Sequence, residues 1–165
     1  MKLFALLLFI LFASSTLAQV KPSKFSLTFS SFNHAAKISE GTTTYLLTES
    51  SIKVTKTSAE YFGKTETKTV YFSPIPISKS ERLISEINEI GLDSLKEYYF
   101  NECIMITSGD EYFFSFANSK LKKEINLHHY YLKQIEDVVR LINSIIPQKY
   151  HFKYLDKETK QDCTL

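Results

Sequence analysis

The segment KKEINLHHYYLKQIEDVVRLINSIIP, residues 122–147, changes its hydrophobic period part-way along. Its first part alternates, with Ile125 and Leu127 on one side, which predicts a strand that is buried on one face. From Tyr131 onward the apolar residues recur at helical intervals, namely at Leu132, Ile135, Val139, Ile142 and Ile146. This spacing predicts an amphipathic helix, and Pro147 ends it. A strand that leads directly into a helix with a full apolar stripe indicates a domain that combines a sheet with helices.

Four segments upstream show the alternation that is typical of half-buried strands. They are KFSLTFSSF (24–32), TTTYLLTES (42–50), SIKVTKT (51–57) and TKTVYFS (67–73). In the last segment, Val70 and Phe72 are predicted to share a face. The linker 58–66 is polar and contains Gly63, so we expect an exposed loop there.

A first helix should follow these strands. Ser78 and Glu81 have the spacing of a capping box, so the helix is predicted to begin at Ser78. Gly91 supplies its C-terminal stop. Asp93 can cap a further helical turn that carries Tyr98.

Two more strand predictions complete the chain. The segment CIMITSGDEYFFSF (103–116) has two apolar runs on either side of Gly109, which predicts a β-hairpin. The segment YHFKYL (150–155) is predicted to form a last short strand. Together these elements predict an α+β domain, a single twisted and mostly antiparallel sheet of about seven or eight strands with two main helices packed on one face.

The first residues, MKLFALLLFILFASSTLAQV (1–20), have the pattern of a secretory signal. Lys2 precedes an apolar run that is too short to span a bilayer, since a span takes about 20 residues. Small residues lead up to Ala18, so 1–18 is predicted to be a cleavable Sec-type signal peptide with cleavage between Ala18 and Gln19. No cysteine follows the small residues, which argues against a lipoprotein signal. We therefore expect a secreted or periplasmic protein with a single domain over 19–155, a polar tail over 156–165 and no transmembrane segment after cleavage.

The charge balance gives no support to a nucleic-acid partner. The chain has 20 basic and 18 acidic residues, and removal of Lys2 with the signal leaves 19 (20 − 1) against 18. Arg82 and Arg140 are the only arginines in the sequence, although arginine is the preferred residue for bidentate phosphate contacts. The four glycines are isolated, which excludes glycine-rich nucleotide motifs, and no cofactor is expected.

Cys103 and Cys163 can form one disulfide in an oxidising compartment. Such a bridge would close a loop of about 60 residues and contribute about 4 kcal/mol in a chain-entropy estimate. The alternative is two unpaired thiols. The apolar neighbours of Cys103 predict a buried strand rather than a reactive nucleophile.

The adjacent residues His128 and His129 are the main candidates for a site. Neighbouring residues on a strand point to opposite faces, so the two imidazoles are badly placed to hold one metal ion together. A zinc site would need one of them with ligands from elsewhere, such as His34, His151, Glu40 or Glu124. No HExxH, CxxC or GxSxG motif occurs. We therefore predict no metal site and no catalytic residue, with the histidines at a strand–helix junction.

The aromatic segment EYYF (97–100) cannot turn every ring inward from one helical turn, so Tyr98 and Tyr99 join the histidines as candidate binding residues. The whole pattern, with LISEINEIGLDSLKEYY, IMITSGDEYFFSF and VVRLINSIIP in order, resembles that of small secreted bacterial domains of unknown function. That resemblance transfers no catalytic residue.

Three functions are compatible with the sequence. The leading expectation is a non-catalytic domain that binds an unknown protein or envelope component or plays a structural role in the cell envelope. The first alternative is a secreted hydrolase or metal-assisted enzyme that uses His128 or His129. The second is an inhibitor or effector that presents the 58–66 loop.

Overall fold

The computed structural model describes residues 25–33, 41–59, 65–104 and 109–159. These residues form one seven-stranded sheet and two α-helices, so the predicted α+β class is confirmed. The elements are β1 (Ser26–Asn33), β2 (Thr42–Thr48), β3 (Ser51–Ala59), β4 (Thr65–Pro74), α1 (Ile77–Glu89), β5 (Tyr98–Phe100), β6 (Asp110–Ala117), β7 (Lys122–His128) and α2 (Lys133–Asn143). Neither helix of this described part is long and apolar enough to cross a membrane.

The strands lie in the order β4-β3-β2-β1-β6-β7-β5. All neighbours pair antiparallel except β5 and β7, which pair in parallel. The first four strands form a meander, and β6 then adds to the free side of β1. The sheet is therefore mostly antiparallel, as the sequence predicts, with β4 and β5 at its two edges.

The core consists of the alternate strand residues and the apolar stripes of both helices, which form one cluster. Phe29 is at its centre, fully buried, with its ring centroid 3.9 Å from that of Phe114 and 4.1 Å from that of Phe152. From the helices, Ile87, Ile135 and Ile142 are almost inaccessible to water. Burial of one such side chain stabilises the fold by about 1.5–3 kcal/mol.

A β-bulge changes which residues of β4 face the core. Val54 pairs with Tyr71 but Thr55 pairs with Thr69, so Val70 is an extra residue in β4. Tyr71 therefore shares the inner face with Val54, whereas Phe72 is 60% exposed. The prediction that Val70 and Phe72 share one face by simple alternation is wrong because the bulge interrupts the alternation.

The N-terminal end of α1 differs from the prediction, whereas its C-terminal end agrees with it. The helix begins at Ile77, and no side chain caps it. Instead, the carbonyl of Pro76 accepts hydrogen bonds from the N–H groups of Lys79 and Ser80, each at 3.0 Å. The predicted capping box at Ser78 is therefore wrong, because the proline already sets the entry of the chain. At the other end Gly91 has φ +77°, a left-handed conformation that suits a helix stop.

The segment after Gly91 contains a short helical turn, as predicted, but Tyr98 lies beyond that turn in a strand. A short 3₁₀ turn, Leu92–Ser94, leads to β5, so Tyr98 begins a strand. β5 forms because the edge of β7 offers backbone partners: the N–H of Asn126 donates to Glu97 at 2.8 Å. The predicted strand at Cys103 is wrong, since residues 101–104 form a turn, and residues 105–108 lie outside the described part.

The predicted last strand, 150–155, is also wrong. Gln148–Tyr150 forms a 3₁₀ turn, and residues 151–155 join no ladder of the described sheet. The backbone of Phe152 is satisfied by a side chain instead, since Asn143 of α2 donates to its carbonyl at 2.9 Å and accepts from its N–H at 2.8 Å. This pair of bonds ties the segment to the helix, where Phe152 enters the core.

Candidate functional site

The histidine junction, which we define as Asn101, Gly109, Asp110, His128 and His129, lies where β7 leads toward α2. His128 is the last residue of β7 and is only 2% exposed. Its ring stacks on that of Phe100, with centroids 4.8 Å apart and planes 15° apart. A ring at this depth packs as a core aromatic residue and is shielded from any ligand in solution.

His129 holds a strained turn in place. Its φ is +45°, a left-handed conformation that a residue with a Cβ rarely adopts. Its N–H donates to the carbonyl of Asp110 at 2.6 Å, and its ring Nδ1 accepts from the N–H of Asp110 at 3.1 Å. The imidazole thus satisfies the first backbone donor of β6. A Cβ on Gly109 would lie 2.8 Å from Nδ1, so the ring packs against a position that needs glycine.

Asn101 is the buried centre of the junction, with 0% exposure. Its backbone N–H donates to the carbonyl of His128 at 3.0 Å, and its side-chain Nδ2 donates to the carbonyl of His129 at 2.9 Å. Its Oδ1 accepts from the N–H of Cys103 at 2.8 Å. One amide therefore joins the strained turn after β7 to the turn that follows β5.

An imidazole, a carboxylate and an amide do meet here, but in an arrangement unlike a catalytic triad. Asp110 accepts a hydrogen bond from the side chain of Asn33, and its Oδ2 lies 3.8 Å from Nδ1 of His129, which is too long for a hydrogen bond. In a triad, the carboxylate accepts from a protonated Nδ1. Here Nδ1 is itself an acceptor, so the ring is the Nε2–H tautomer and cannot be oriented by Asp110 in that way.

Metal binding at the junction finds no further support. Within the described ranges, no group of three or more His, Cys, Asp or Glu side chains could hold a metal ion. Of the additional ligands that the sequence suggests, His34 and Glu40 lie outside the described residues. His151 lies in a different place, where its Nε2 donates to the carbonyl of Ile146 at 3.1 Å.

The two candidate tyrosines have separate roles because successive strand residues point to opposite faces. Tyr98 is 55% exposed, whereas Tyr99 is half-buried. The hydroxyl of Tyr99 accepts from the N–H of Lys96 at 2.8 Å, and its ring lies 5.3 Å from that of Tyr130. Tyr99 therefore anchors the edge strand, and of these two tyrosines Tyr98 is the exposed one.

The remaining predicted features lie partly outside the described residues. The pairing of Cys103 with Cys163 stays a prediction, because Cys163 is not among them. The loop 58–66 is shorter than expected: β3 continues to Ala59 and β4 begins at Thr65, and these two residues pair. Residues 60–64, which would form the presented loop, also lie outside the described part, as does the predicted signal 1–18.

A groove that the sequence analysis missed lies at the β4 edge of the sheet. Its volume is about 550 Å³, within the usual range of ligand sites. It lies between the ends of β2, β3 and β4 and the turn after α2. We call it the lysine groove, and it is lined by Thr43, Tyr45, Val54, Lys56, Lys68, Thr69, Val70, Lys149, Tyr150 and His151.

Three lysines line this groove, and no carboxylate from the described part of the chain does. Lys56 and Lys68 are directly opposite each other in the β3–β4 ladder, on the same face as Thr43. The ammonium of Lys149 lies 4.8 Å from the centre of the Tyr150 ring. None of the three forms an ion pair with a carboxylate of the described chain, in contrast to Lys122 and Lys133, which do.

Tyr45 forms the floor of the groove. It is buried, and its hydroxyl donates to the carbonyl of Tyr150 at 2.9 Å, which fixes the turn after α2 against the sheet. Burial raises the pKa of Tyr45 to about 12. The ring of Tyr150 also packs against Tyr71 at 5.0 Å. The groove is therefore built on the core, while its lysines project beyond it.

No model of a known protein family matches this chain, and the comparison with curated proteins finds no relative.

Proposed function

We propose that the protein is a non-catalytic binding domain, exported from the cytoplasm to the periplasm or the exterior, that recognises an envelope component through the lysine groove. In this proposal the sheet is twisted, and both helices cover the face that carries Phe29. The hydrophobic strand residues that form one cluster with the helices support this packing. Export rests on the signal pattern of residues 1–18.

The observation that carries the non-catalytic assignment is the acceptor role of Nδ1 in His129. A general base must be in reach of a substrate and must carry its proton on the nitrogen that the mechanism requires. His128 is shielded by burial, and His129 uses Nδ1 to hold β6. These polar groups therefore stabilise a turn.

The groove supports a binding role for a different reason. Its lysines are available to a ligand because none of them is neutralised by a described carboxylate. The cavity is concave and has polar groups around a tyrosine floor, as small-molecule sites commonly have. These features support the proposal that the groove is the binding surface.

Co-sedimentation of the purified, exported protein with isolated envelope material tests this function. The triple variant Lys56→Gln/Lys68→Gln/Lys149→Gln should lose most of the sedimented fraction, and added salt should weaken binding of the parent protein. The matched control is Lys53→Gln, since Lys53 is on β3 but points to the opposite face. Equal sedimentation of all variants would contradict the proposal, and stoichiometric zinc in the purified protein would favour the metal-assisted enzyme instead.

A further inference from the structure

We propose that the lysine groove binds a ligand bearing a phosphate monoester, an inference that rests on the proposed role of the groove as the binding surface. The ligand is thus a phosphorylated small molecule or a lipid headgroup with a terminal phosphate. Both sources offer the same chemistry, a compact dianion with three acceptor oxygens.

The pairing of Lys56 with Lys68 in the β3–β4 ladder favours a ligand with two negative charges. Directly opposed residues of antiparallel strands have Cβ atoms about 4.5–5.5 Å apart, and like charges there destabilise the sheet. A bound dianion placed between the two ammonium groups would turn this repulsion into two attractions. A carboxylate carries a single charge and could neutralise only one of them.

The residues around the lysine pair also favour a phosphate group as the ligand. Lys149 brings a third cation from the turn after α2, and Thr43, on the same face as Lys56, adds a hydroxyl that can donate to a phosphate oxygen. No Asp or Glu of the described residues lines the groove, so none of their carboxylates repels an anion there. Lysine acts on phosphate as a point charge, which suits a site without arginine.

The extent of the groove favours a small ligand over a nucleic acid. A volume of about 550 Å³ is large enough to hold a headgroup or a sugar-sized molecule. The formal charge of the chain, +2, is nearly balanced, which does not favour a polynucleotide as the ligand.

The test is an NMR titration of the exported, ¹⁵N-labelled protein with glycerol 2-phosphate, with glycerol as the neutral control and sulfate as a second dianion. Saturable shifts should appear at the amides of Thr43, Lys56 and Lys149. Lys56→Gln should raise Kd about tenfold, or about 1.4 kcal/mol. Lys53→Gln should change Kd less than twofold.

Two vesicle preparations distinguish the sources. Retention on phosphatidic acid vesicles but not on phosphatidylcholine vesicles, with loss in the Lys56→Gln variant, assigns the site to a lipid headgroup. Binding of glycerol 2-phosphate without vesicle retention assigns it to a soluble phosphate ester. Thermal unfolding of Lys56→Gln provides the folding control, because removal of the Lys56–Lys68 repulsion should leave Tm unchanged or higher.

Three results would overturn the inference: no saturable shift, an unchanged Kd in Lys56→Gln, or an affinity for sulfate equal to that for glycerol 2-phosphate. Different results would contradict the wider proposal that the groove is the binding surface. If envelope material still sediments the protein in a lysine-dependent way while phosphate esters do not bind, only the ligand assignment is wrong. If neither occurs, the groove is not the binding surface.

Discussion

The replacement of Asn101 by alanine removes the side chain that holds the histidine junction together. In the folded protein, this amide donates to the carbonyl of His129 and accepts from the N–H of Cys103. The side chain is fully buried, so water cannot easily replace it. His129 also has a left-handed backbone, and that conformation persists only where the surroundings hold it.

The expected loss follows from the two bonds. A buried polar group that is left without its partner costs about 1–3 kcal/mol. Two such groups remain after Asn101→Ala, one of them in a half-buried turn that water can reach, so we expect a loss of about 2–4 kcal/mol. This is a large part of the 5–15 kcal/mol that is typical of a domain. Asn101→Asp should be at least as destabilising, because a carboxylate cannot donate to His129.

Urea unfolding followed by circular dichroism measures this loss. With an m-value of about 2 kcal/mol/M, the midpoint of Asn101→Ala should fall by about 1–2 M at unchanged m. Asn126→Ala is the matched control, since Asn126 is exposed on β7 and its loss should stay within about 0.5 kcal/mol. A loss below about 1 kcal/mol in Asn101→Ala would refute the reasoning that this amide stabilises the junction.

Three further predictions concern other parts of the fold. Gly41→Ala should prevent normal pairing of β2 with β3, because a Cβ on residue 41 would lie 1.7 Å from the carbonyl oxygen of Thr57. The φ of Gly41 is also +64°, which a residue with a Cβ rarely adopts. A soluble variant with the Tm of the parent protein would contradict this. Burial raises the pKa of Tyr45 to about 12, whereas the pKa of this tyrosine in the unfolded chain is near 10. The contribution of Tyr45 to the free energy of unfolding is therefore fully present below about pH 10. It should be lost as pH rises from about 10 toward 12. Tyrosinate absorbance and circular dichroism should then change together, and ionisation of all tyrosines in a folded protein would argue against it. If Cys103 and Cys163 pair, alkylation without reduction should label neither in mass spectrometry, and labelling of both would exclude the bridge.

Periodicity predicted the larger elements because each of them buries a regular stripe. The alternation in Leu27–Phe29 and Ile125–Leu127 and the helical stripe through Ile142 correspond to buried residues of β1, β7 and α2. These patterns are strong since a shift by one residue would turn the apolar side chains of a strand toward water.

The sequence-based predictions of secondary structure are wrong where contacts between distant segments, and not the local sequence, decide the conformation. β5 is three residues long and has no period of its own; it is a strand because β7 offers an open edge. Phe152 is not part of a strand, because the side chain of Asn143 forms hydrogen bonds with both its N–H and its carbonyl. At α1, Pro76 made the predicted cap at Ser78 unnecessary.

The lysine groove could not be predicted from the sequence, because it depends on register. The parity of β3 places Lys56 on the same face as Val54, which was a usable signal. The bulge at Val70, however, decides that Lys68 stands opposite Lys56, and the turn after α2 decides where Lys149 lies. By contrast, the position of the two histidines at a strand end was predictable from the change of period.

The most direct test of the account is the tautomer of His129, measured by long-range ¹H–¹⁵N correlation of the imidazole rings at neutral pH. We predict a neutral ring with its proton on Nε2, because Nδ1 accepts the N–H of Asp110 at 3.1 Å. The same spectrum should not change when zinc is added. A proton on Nδ1 that is donated to the Asp110 carboxylate, or a ring nitrogen that shifts on zinc addition, would contradict the claim that this histidine serves the backbone and not a reaction.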